Sequence, residues 1–294
     1  MNCKLPMTWW SGFLYPVDLG LLRCYISAVE TRRDVAILKV SGNSVQGEMD
    51  EVAAELPISL VLNGEPLVTL LCTPAELKEL AVGFLLSESI LQDRASLIKL
   101  EVREQENAVH IGLENLPEDW RRMFETRTLS SGCGSGITFT HFRTEADKRI
   151  AYNGPLMTLE HVKELLRAFR DVSALYKETG GVHSAALSDG REILFFSEDI
   201  GRHNAVDKLI GKAFLNTIAL KDKVLITSGR VTSEIVTKAG RNGFPVIISR
   251  AAPTCMAIDY AEDVGITLVG FARGNRMNLY TWPKRIELEK EGKD

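Results

Sequence analysis

Residues 193–204 read ILFFSEDIGRHN, and this stretch decides the predicted fold. The apolar run Ile193–Phe196 is typical of a buried strand. Two acidic residues and Gly201 follow, and the chain then reads as a helix from about His203 to Leu215. A strand that passes directly through a polar turn into a helix is the repeating unit of α/β folds.

The same alternation extends on both sides of this unit. The helix before it has Thr158 as a plausible N-cap, an apolar stripe over residues 162–176, and a stop at Gly180-Gly181. Short β-branched strands and further helices are predicted at residues 182–187, 224–227, 234–241, 246–248, 255–262 and 266–271. The pattern predicts an α/β fold with a mixed sheet that helices cover on both faces.

The N-terminal half reads differently, mainly as strands. Residues 35–40, 56–62, 67–72, 97–103 and 108–113 have strand character, and Asn63-Gly64 between two apolar runs is a strong hairpin signal. One helix is predicted to start at Thr73-Pro74. We therefore expect an arm at 1–33, a smaller β-rich lobe at 34–122, a main domain at 123–285 and a tail at 286–294.

Composition excludes several classes of protein. A formal charge of −4 and a pI near 5.9 argue against bulk nucleic acid as the main partner. The sequence contains no apolar run of membrane-spanning length and no secretory cleavage pattern near Met1. We therefore expect a cytoplasmic protein without a membrane or nucleic-acid partner. Five widely spaced cysteines argue against a structural disulfide or a cysteine-based zinc site.

The loop SSGCGSG, residues 130–136, surrounds Cys133 with glycines. Such a backbone exposes a thiol to approach from several directions, and its successive N–H groups can stabilise the thiolate. The alternative is a tight turn in which Cys133 is a small apolar filler. The loop alone leaves both interpretations open.

Polar groups cluster where predicted strands meet helices, which is where open α/β sheets bind ligands. Candidate residues for an anion site are His183, Arg202, His203, Asn204, Ser228, Gly229 and Arg230. The two histidines could serve as acid or base, or could simply be hydrogen-bonded. Ordinary capped turns would also explain these segments. Gly270–Arg276 adds two arginines around a glycine, without the lysine of a P-loop.

Taken together, these segments resemble the formate dehydrogenase accessory family, FdhD. The matching motifs are GFLLSE at 83–88, GVH at 181–183, EDIGRHNAVDK at 198–208, SGR at 228–230, APT at 252–254 and LVGFAR at 268–273. They occur in the family's order, and the resemblance spans roughly residues 55–281.

The resemblance implies a sulfur carrier, that is, a sulfurtransferase. Such a protein accepts sulfur from a cysteine desulfurase as a persulfide, here on Cys133. It passes the sulfur to the molybdenum cofactor, bis-molybdopterin guanine dinucleotide, before that cofactor is inserted into formate dehydrogenase. A homodimer and a fold related to cytidine deaminases are implied as well. Zinc is not expected, because the chain contains neither His-x-Glu nor Pro-Cys-x-x-Cys.

The family's cofactor-binding stretch falls on Phe271, Ala272, Arg273, Gly274, Asn275 and Arg276. Arg273 and Arg276, with Arg230 or Arg202, would hold phosphates and guanine, so a guanine nucleotide could occupy the same site. Many family members have a second loop cysteine, which falls on Gly136 here. Sulfur must therefore leave Cys133 directly.

Two other functions remain open at this stage. A non-catalytic chaperone would bind the cofactor and dock on the dehydrogenase without carrying sulfur, and the missing second cysteine favours it. A cysteine-dependent hydrolase would use His183 or His203 as its base, although no acyl-specific feature accompanies the cysteine.

Overall fold

A computed structural model describes residues 30–114, 116, 120, 127–129, 137–139 and 149–288. Its N-terminal part contains β1 (Arg32–Ser41), β2 (Ser44–Ala53), β3 (Leu56–Leu62), β4 (Glu65–Cys72), α1 (Leu77–Ser87), β5 (Leu97–Arg103), β6 (Ala108–Leu113), β7 (Arg127–Leu129) and β8 (Ile137–Phe139). Its C-terminal part contains β9 (Met157–Thr158), α2 (Leu159–Val172), α3 (Ala174–Thr179), β10 (His183–Ser188), β11 (Ile193–Asp199), α4 (Arg202–Leu215), β12 (Val224–Thr227), α5 (Ser233–Arg241), β13 (Val246–Ser249), α6 (Cys255–Val264), β14 (Thr267–Arg273), β15 (Arg276–Thr281) and β16 (Ile286–Glu287).

The main sheet has six strands in the order β11-β10-β12-β13-β14-β15. β12, β13 and β14 run parallel to one another, and the outer pairings are antiparallel. Alternate strand residues point to opposite faces, so Leu225 packs with α4, α5 and α6 while Ile226 packs with α2. The predicted mixed α/β architecture is confirmed. The relation to cytidine deaminases and the domain limits stay predictions.

A second sheet, in the order β4-β3-β6-β5, covers α1. Its first hairpin turns at Asn63 and Gly64, which have φ angles of 48° and 87°. Both residues occupy the left-handed region that a two-residue hairpin turn requires. The hairpin predicted from Asn63-Gly64 is therefore confirmed.

The helices differ from the predictions in two places. The prediction that a helix starts at Thr73-Pro74 is wrong, since α1 begins at Leu77. The Thr73 N–H instead donates to Asp199 Oδ2 at 3.0 Å, which ties this segment to the main domain. The helix predicted over residues 162–176 is interrupted at Ser173, whose ψ of 90° is extended. Six strands were not predicted, namely β2, β7, β8, β9, β15 and β16.

The two sheets are joined through α1 and α4, which cross at two glycines. A Cβ atom on Gly83 would lie 1.7 Å from the Asp207 carbonyl oxygen, and one on Gly211 would lie 1.9 Å from that of Glu79. Beside the crossing, the buried Asp207 carboxylate accepts hydrogen bonds from Ser87 Oγ and Lys238 Nζ. The helices can approach this closely only because neither glycine has a side chain.

Two short ribbons complete the structure. β1 and β2 form a hairpin of their own, and β7 pairs with β8 so that Leu129 is opposite Ile137. In the part of the chain that the structure describes, no helix combines the length and apolar character needed to cross a membrane.

Candidate anion-binding cleft

A cleft of about 570 Å³ opens at the edge of the main sheet where β12 and β13 end. Ser228 and Arg250 directly follow these parallel strands, and His183 begins the neighbouring antiparallel strand β10. The cleft is lined by Phe169, Arg170, Ser173, Tyr176, Lys177, Gly180, Gly181, Val182, His183, Ser184, Ile200, Ser228, Arg250 and Arg273. The sheet topology thus brings together residues that lie far apart in the sequence.

The walls of the cleft are cationic. Arg250 and Arg273 form one wall, and the Arg273 Nε–H donates to the Arg250 carbonyl oxygen at 3.0 Å. Arg170 on α2 and Lys177 on α3 also line the cleft. None of the described residues that line the cleft is acidic. Such a site favours an anionic ligand.

The floor of the cleft is neutral and hydrogen-bonded. His183 Nδ1 lies 3.4 Å from Ser228 Oγ, which also accepts the Ser184 N–H at 2.9 Å. Burial lowers the pKa of His183 below its ordinary value of 6.5, and the nearby cation Arg202 lowers it further. His183 is therefore neutral at pH 7 and offers hydrogen bonds rather than charge.

Glu198 lies behind the cleft and shapes the wall formed by α2 and α3. Its Oε1 accepts hydrogen bonds from Ser173 Oγ at 2.5 Å and from the Tyr176 N–H at 3.2 Å. Its Oε2 accepts from the Leu175 N–H at 3.2 Å. These bonds satisfy the first N–H groups of α3 and hold the break between the two helices at Ser173.

Arg202 and His203 lie beneath the surface. The Arg202 residue is 6% exposed, and a Cβ atom on Gly229 would lie 2.9 Å from its Cβ. His203 Nε2 lies 2.9 Å from Glu234 Oε2 on α5. Burial lowers the pKa of His203, although Glu234 opposes that shift. Through these contacts, Arg202 and His203 connect the β11–α4 junction to the β12–α5 junction.

Asn204 joins the two lobes. Its Nδ2 donates to the Leu71 carbonyl oxygen at 2.8 Å and to Asp199 Oδ1 at 2.9 Å. Both amide hydrogens are thus directed to protein acceptors. Asp199 in turn binds the Lys208 ammonium at 2.6 Å. Much of the EDIGRHNAVDK motif therefore holds the lobes together.

The stretch from Phe271 to Arg276 forms the end of the β14–β15 hairpin. Gly274 has a φ of 57°, and Arg273 is directly opposite Arg276 in the pairing register. Ala272 is fully buried, whereas Asn275 and Arg276 are exposed outside the cleft lining. Of these six residues, only Arg273 is among the described residues that line the cleft.

The structure brings some of the predicted site residues together in the cleft and places the others outside it. His183, Ser228 and Arg273 line one cleft, Gly229 lies against His183, and Arg230 is exposed nearby. Sequence reasoning missed the lining residues Arg170, Ser173, Tyr176, Lys177 and Arg250. Arg250 could have been found, because it follows its strand as Ser228 follows the preceding one. Cys133, the predicted sulfur-carrying residue, lies outside the described residues.

The structure describes two other cysteines, Cys72 and Cys255, which differ in their exposure to solvent. Cys72 is fully buried, and burial raises the pKa of its thiol to about 12, with a further contribution from Asp199. Cys255 is exposed at the first residue of α6. With this pKa, the Cys72 thiol is almost entirely protonated at pH 7. Because the thiolate is the nucleophile in sulfur exchange, Cys72 is unreactive in the folded protein.

Comparison with known proteins shows which family the sequence matches. A sequence model of the FdhD/NarQ family matches residues 53–287. The chain is 37% identical over 237 residues to "Sulfur carrier protein FdhD" of Bacillus pumilus (strain SAFR-032), covering 81% of this chain and 90% of that protein. It is 36% identical over 245 residues to the protein of the same description from Bacillus subtilis (strain 168), covering 82% and 94%.

A solved structure is similar as well. It is the crystal structure of a proposed formate dehydrogenase accessory protein from Desulfotalea psychrophila, with a TM-score of 0.71 and 25% sequence identity. The match covers 87% of this chain and all of that chain.

Proposed function

The chain belongs to the FdhD/NarQ family, and on that premise we propose that it is a sulfur carrier that serves a formate dehydrogenase. It takes sulfur from a cysteine desulfurase as a persulfide on Cys133. It then passes the sulfur to bis-molybdopterin guanine dinucleotide, which is its bound substrate. The carrier acts as a homodimer in the cytoplasm, as the family resemblance implies.

The single observation that supports substrate binding is the cationic cleft. Four cationic side chains line it, and none of its described lining residues is acidic. The phosphates of a guanine dinucleotide are anions that arginine binds with several hydrogen bonds at once. A volume of about 570 Å³ falls within the usual range for a single ligand, about 300–1,000 Å³. One nucleotide end of the cofactor fits such a space.

The residues of the cleft have separate roles in this proposal. Arg250 and Arg273 hold phosphate oxygens, and neutral His183 with Ser228 supplies hydrogen bonds at the floor. Because His183 is uncharged at pH 7, it orients the ligand without adding to the cationic field. Arg276 and Arg230 are exposed outside the lining and attract the anionic ligand from solution.

Sulfur is loaded by thiol–persulfide exchange. The Cys133 thiolate attacks the outer sulfur of the donor persulfide, a new S–S bond forms on Cys133, and the donor cysteine leaves as a thiolate. No net oxidation or reduction occurs in this step. The high pKa of Cys72 prevents it from competing for the sulfur. With Gly136 in place of a second loop cysteine, Cys133 passes its sulfur on without an intraloop disulfide.

The test is to incubate the protein with a cysteine desulfurase and cysteine and to locate the added sulfur by peptide mass. We expect it on Cys133. Sulfur found equally on Cys72 or Cys255 would overturn the assignment. Activation of formate dehydrogenase is then compared for the wild type and Cys133→Ala. Loss of activation supports the sulfur carrier, whereas full activation by the variant supports the non-catalytic chaperone.

A further inference from the structure

The hairpin of β1 and β2 stands apart from the two larger sheets. Its strands are ten residues long, and among the described residues they pair only with each other. At the base of the hairpin, Arg32 forms an ion pair with Glu178 on α3, and a Cβ atom on Gly181 would lie 3.3 Å from that of Ala53. An isolated two-stranded hairpin is only marginally stable in water, so the rest of it needs a packing partner.

One face of this hairpin is apolar and turned to solvent. Residues directly opposite each other in an antiparallel pair share a face, and the register places Leu38 opposite Gly47 and Val40 opposite Val45. The face carries no polar side chain over six exposed residues, namely Ala36, Leu38, Val40, Val45, Gly47 and Met49. Four of these have large side chains that are 52–66% exposed. A contiguous exposed patch of this kind marks a contact surface.

The opposite face of the hairpin has the reverse character. Val35 and Ile37 on that face are only partly exposed, and Lys39 forms an ion pair with Glu48 at 2.7 Å. The charged groups of the hairpin tip thus pair on one face. The apolar side chains lie on the other face, where no described residue covers them.

The size of the apolar patch distinguishes between possible covers. It is two strands wide and runs over Ala36–Val40 and Val45–Met49, which corresponds to roughly 17 Å by 10 Å. A stable contact between two separate molecules buries about 800 Å² on each of them, several times this area. A segment of the same chain needs much less area, because its effective local concentration is high.

The chain that precedes the hairpin has a matching composition. Residues 1–29 lead directly to the base of the hairpin and contain only three charged residues, Lys4, Asp18 and Arg23. Their large apolar side chains include those of Trp9, Trp10, Phe13, Leu14, Leu19, Leu21, Leu22 and Ile26. Burial of such side chains lowers the free energy of the chain. About ten extended residues span roughly 33 Å, so 29 residues are long enough to reach the whole hairpin.

We propose that residues 1–29 of the same chain cover the apolar face of the β1–β2 hairpin. Apolar side chains of this segment pack against Leu38, Val40 and Met49, and the contact needs no charged group. The cover supplies the packing that two strands alone lack. This contact does not involve sulfur transfer, so it can hold or fail independently of the proposed function.

Oxidation of methionine by hydrogen peroxide tests whether the face is covered in the full chain. Met49 and Met256 are 61% and 57% exposed among the described residues, so Met256 on α6 is a matched control. With each rate divided by that of the same residue in urea, Met49 should oxidise at least about fivefold more slowly than Met256. Peptide mass after timed exposure gives both rates. Equal relative rates would overturn the proposal.

Dilution separates this cover from a second copy of the chain. Protection of Met49 by residues 1–29 is intramolecular, so it should stay constant over about a hundredfold range of protein concentration. Protection by a second copy would decrease on dilution. A decrease would therefore overturn the proposal.

A photo-crosslinking residue identifies the segment that covers the face. The variant Leu38→p-benzoylphenylalanine places the probe on the apolar face, and Gln46→p-benzoylphenylalanine is the control because Gln46 is exposed on the opposite face. We expect the Leu38 variant to crosslink to peptides from residues 1–29 and to keep the mass of one chain on a denaturing gel. The proposal is overturned by a product with the mass of two chains, by the absence of crosslinks to residues 1–29, or by equal crosslinking from the control position.

Discussion

The ammonium group of Lys208 lies 2.6 Å from Asp199 Oδ2, and both side chains are fully buried. Lys208 Nζ also donates to the Thr73 carbonyl oxygen at 3.0 Å and to that of Glu198 at 3.1 Å. Asp199 accepts the Thr73 and Gly201 N–H groups. A buried pair with all of these partners joins the N-terminal lobe to the β11–α4 junction.

Removing one member of this pair should be severely destabilising. Lys208→Met leaves the Asp199 charge buried without its cation, and we expect it to lower the free energy of unfolding by about 3–5 kcal/mol. Urea denaturation followed by circular dichroism measures this. The exposed Lys221→Met is the control and should change stability by less than about 0.5 kcal/mol. A loss below about 1 kcal/mol for Lys208→Met would contradict the structure.

Substitution by alanine should have opposite effects on stability at two helical glycines, because one lies at the crossing of α1 and α4 and the other does not. Gly83→Ala should destabilise the protein by about 3 kcal/mol or more, because its Cβ would lie 1.7 Å from the Asp207 carbonyl oxygen. Gly240→Ala on α5 should instead stabilise it by about 0.5–1 kcal/mol, since the nearest atom would be 3.8 Å away. Thermal unfolding of both variants is the measurement. Similar effects at the two glycines would show that the crossing is not as close as described.

The protonation of His183 should report on the charge around the cleft. Burial lowers its pKa below 6.5, Arg202, His203 and Arg230 lower it further, and Asp199 opposes them. Arg230→Gln removes a cation that disfavours the charged imidazole, so the pKa of His183 should rise toward 6.5. A bound anion should raise it too, and by linkage anion affinity should increase as the pH falls through the pKa of the bound state.

NMR titration of the His183 ring protons measures these shifts. Arg167 is not among the groups that shift the pKa of His183, so Arg167→Gln serves as the control and should leave that pKa unchanged. A fall in the pKa on removal of Arg230 would contradict the predicted sign.

Thiol labelling should distinguish the cysteines. Cys72 is fully buried with a pKa of about 12, so it should resist iodoacetamide at pH 8 until the protein unfolds. Cys255 is exposed and should react in the folded protein. Peptide mass after timed labelling gives both rates. Rapid modification of Cys72 would mean that its burial is not maintained in solution.

Local patterns were enough to predict most of the main sheet and part of the cleft. Strands β5, β6 and β12 have the predicted limits, and α2 begins after the predicted N-cap Thr158. The convergence of His183, Ser228 and Arg273 follows from the rule that strand ends meet at one edge of a sheet. These features depend on residues close in sequence or on general topology.

The other wall of the cleft could not be predicted from local patterns. The break at Ser173 depends on Glu198, which is distant in sequence and becomes a neighbour only after folding. The apolar stripe over residues 162–176 is continuous, so it gave no sign of the break. Asn204 was assigned to an anion for a similar reason, because its acceptor on Leu71 belongs to the other lobe.

The pairing of β10 with β11 makes the cleft and the contact between the two sheets share one pair of residues. His183, at the floor of the cleft, lies directly opposite Asp199 in the register of the two strands. Asp199 also accepts the Thr73 N–H from the segment that follows the N-terminal sheet. A substitution that displaces the Thr73 segment therefore acts on the strand position next to His183. Ligand affinity and the attachment of the N-terminal sheet are thus linked through Asp199.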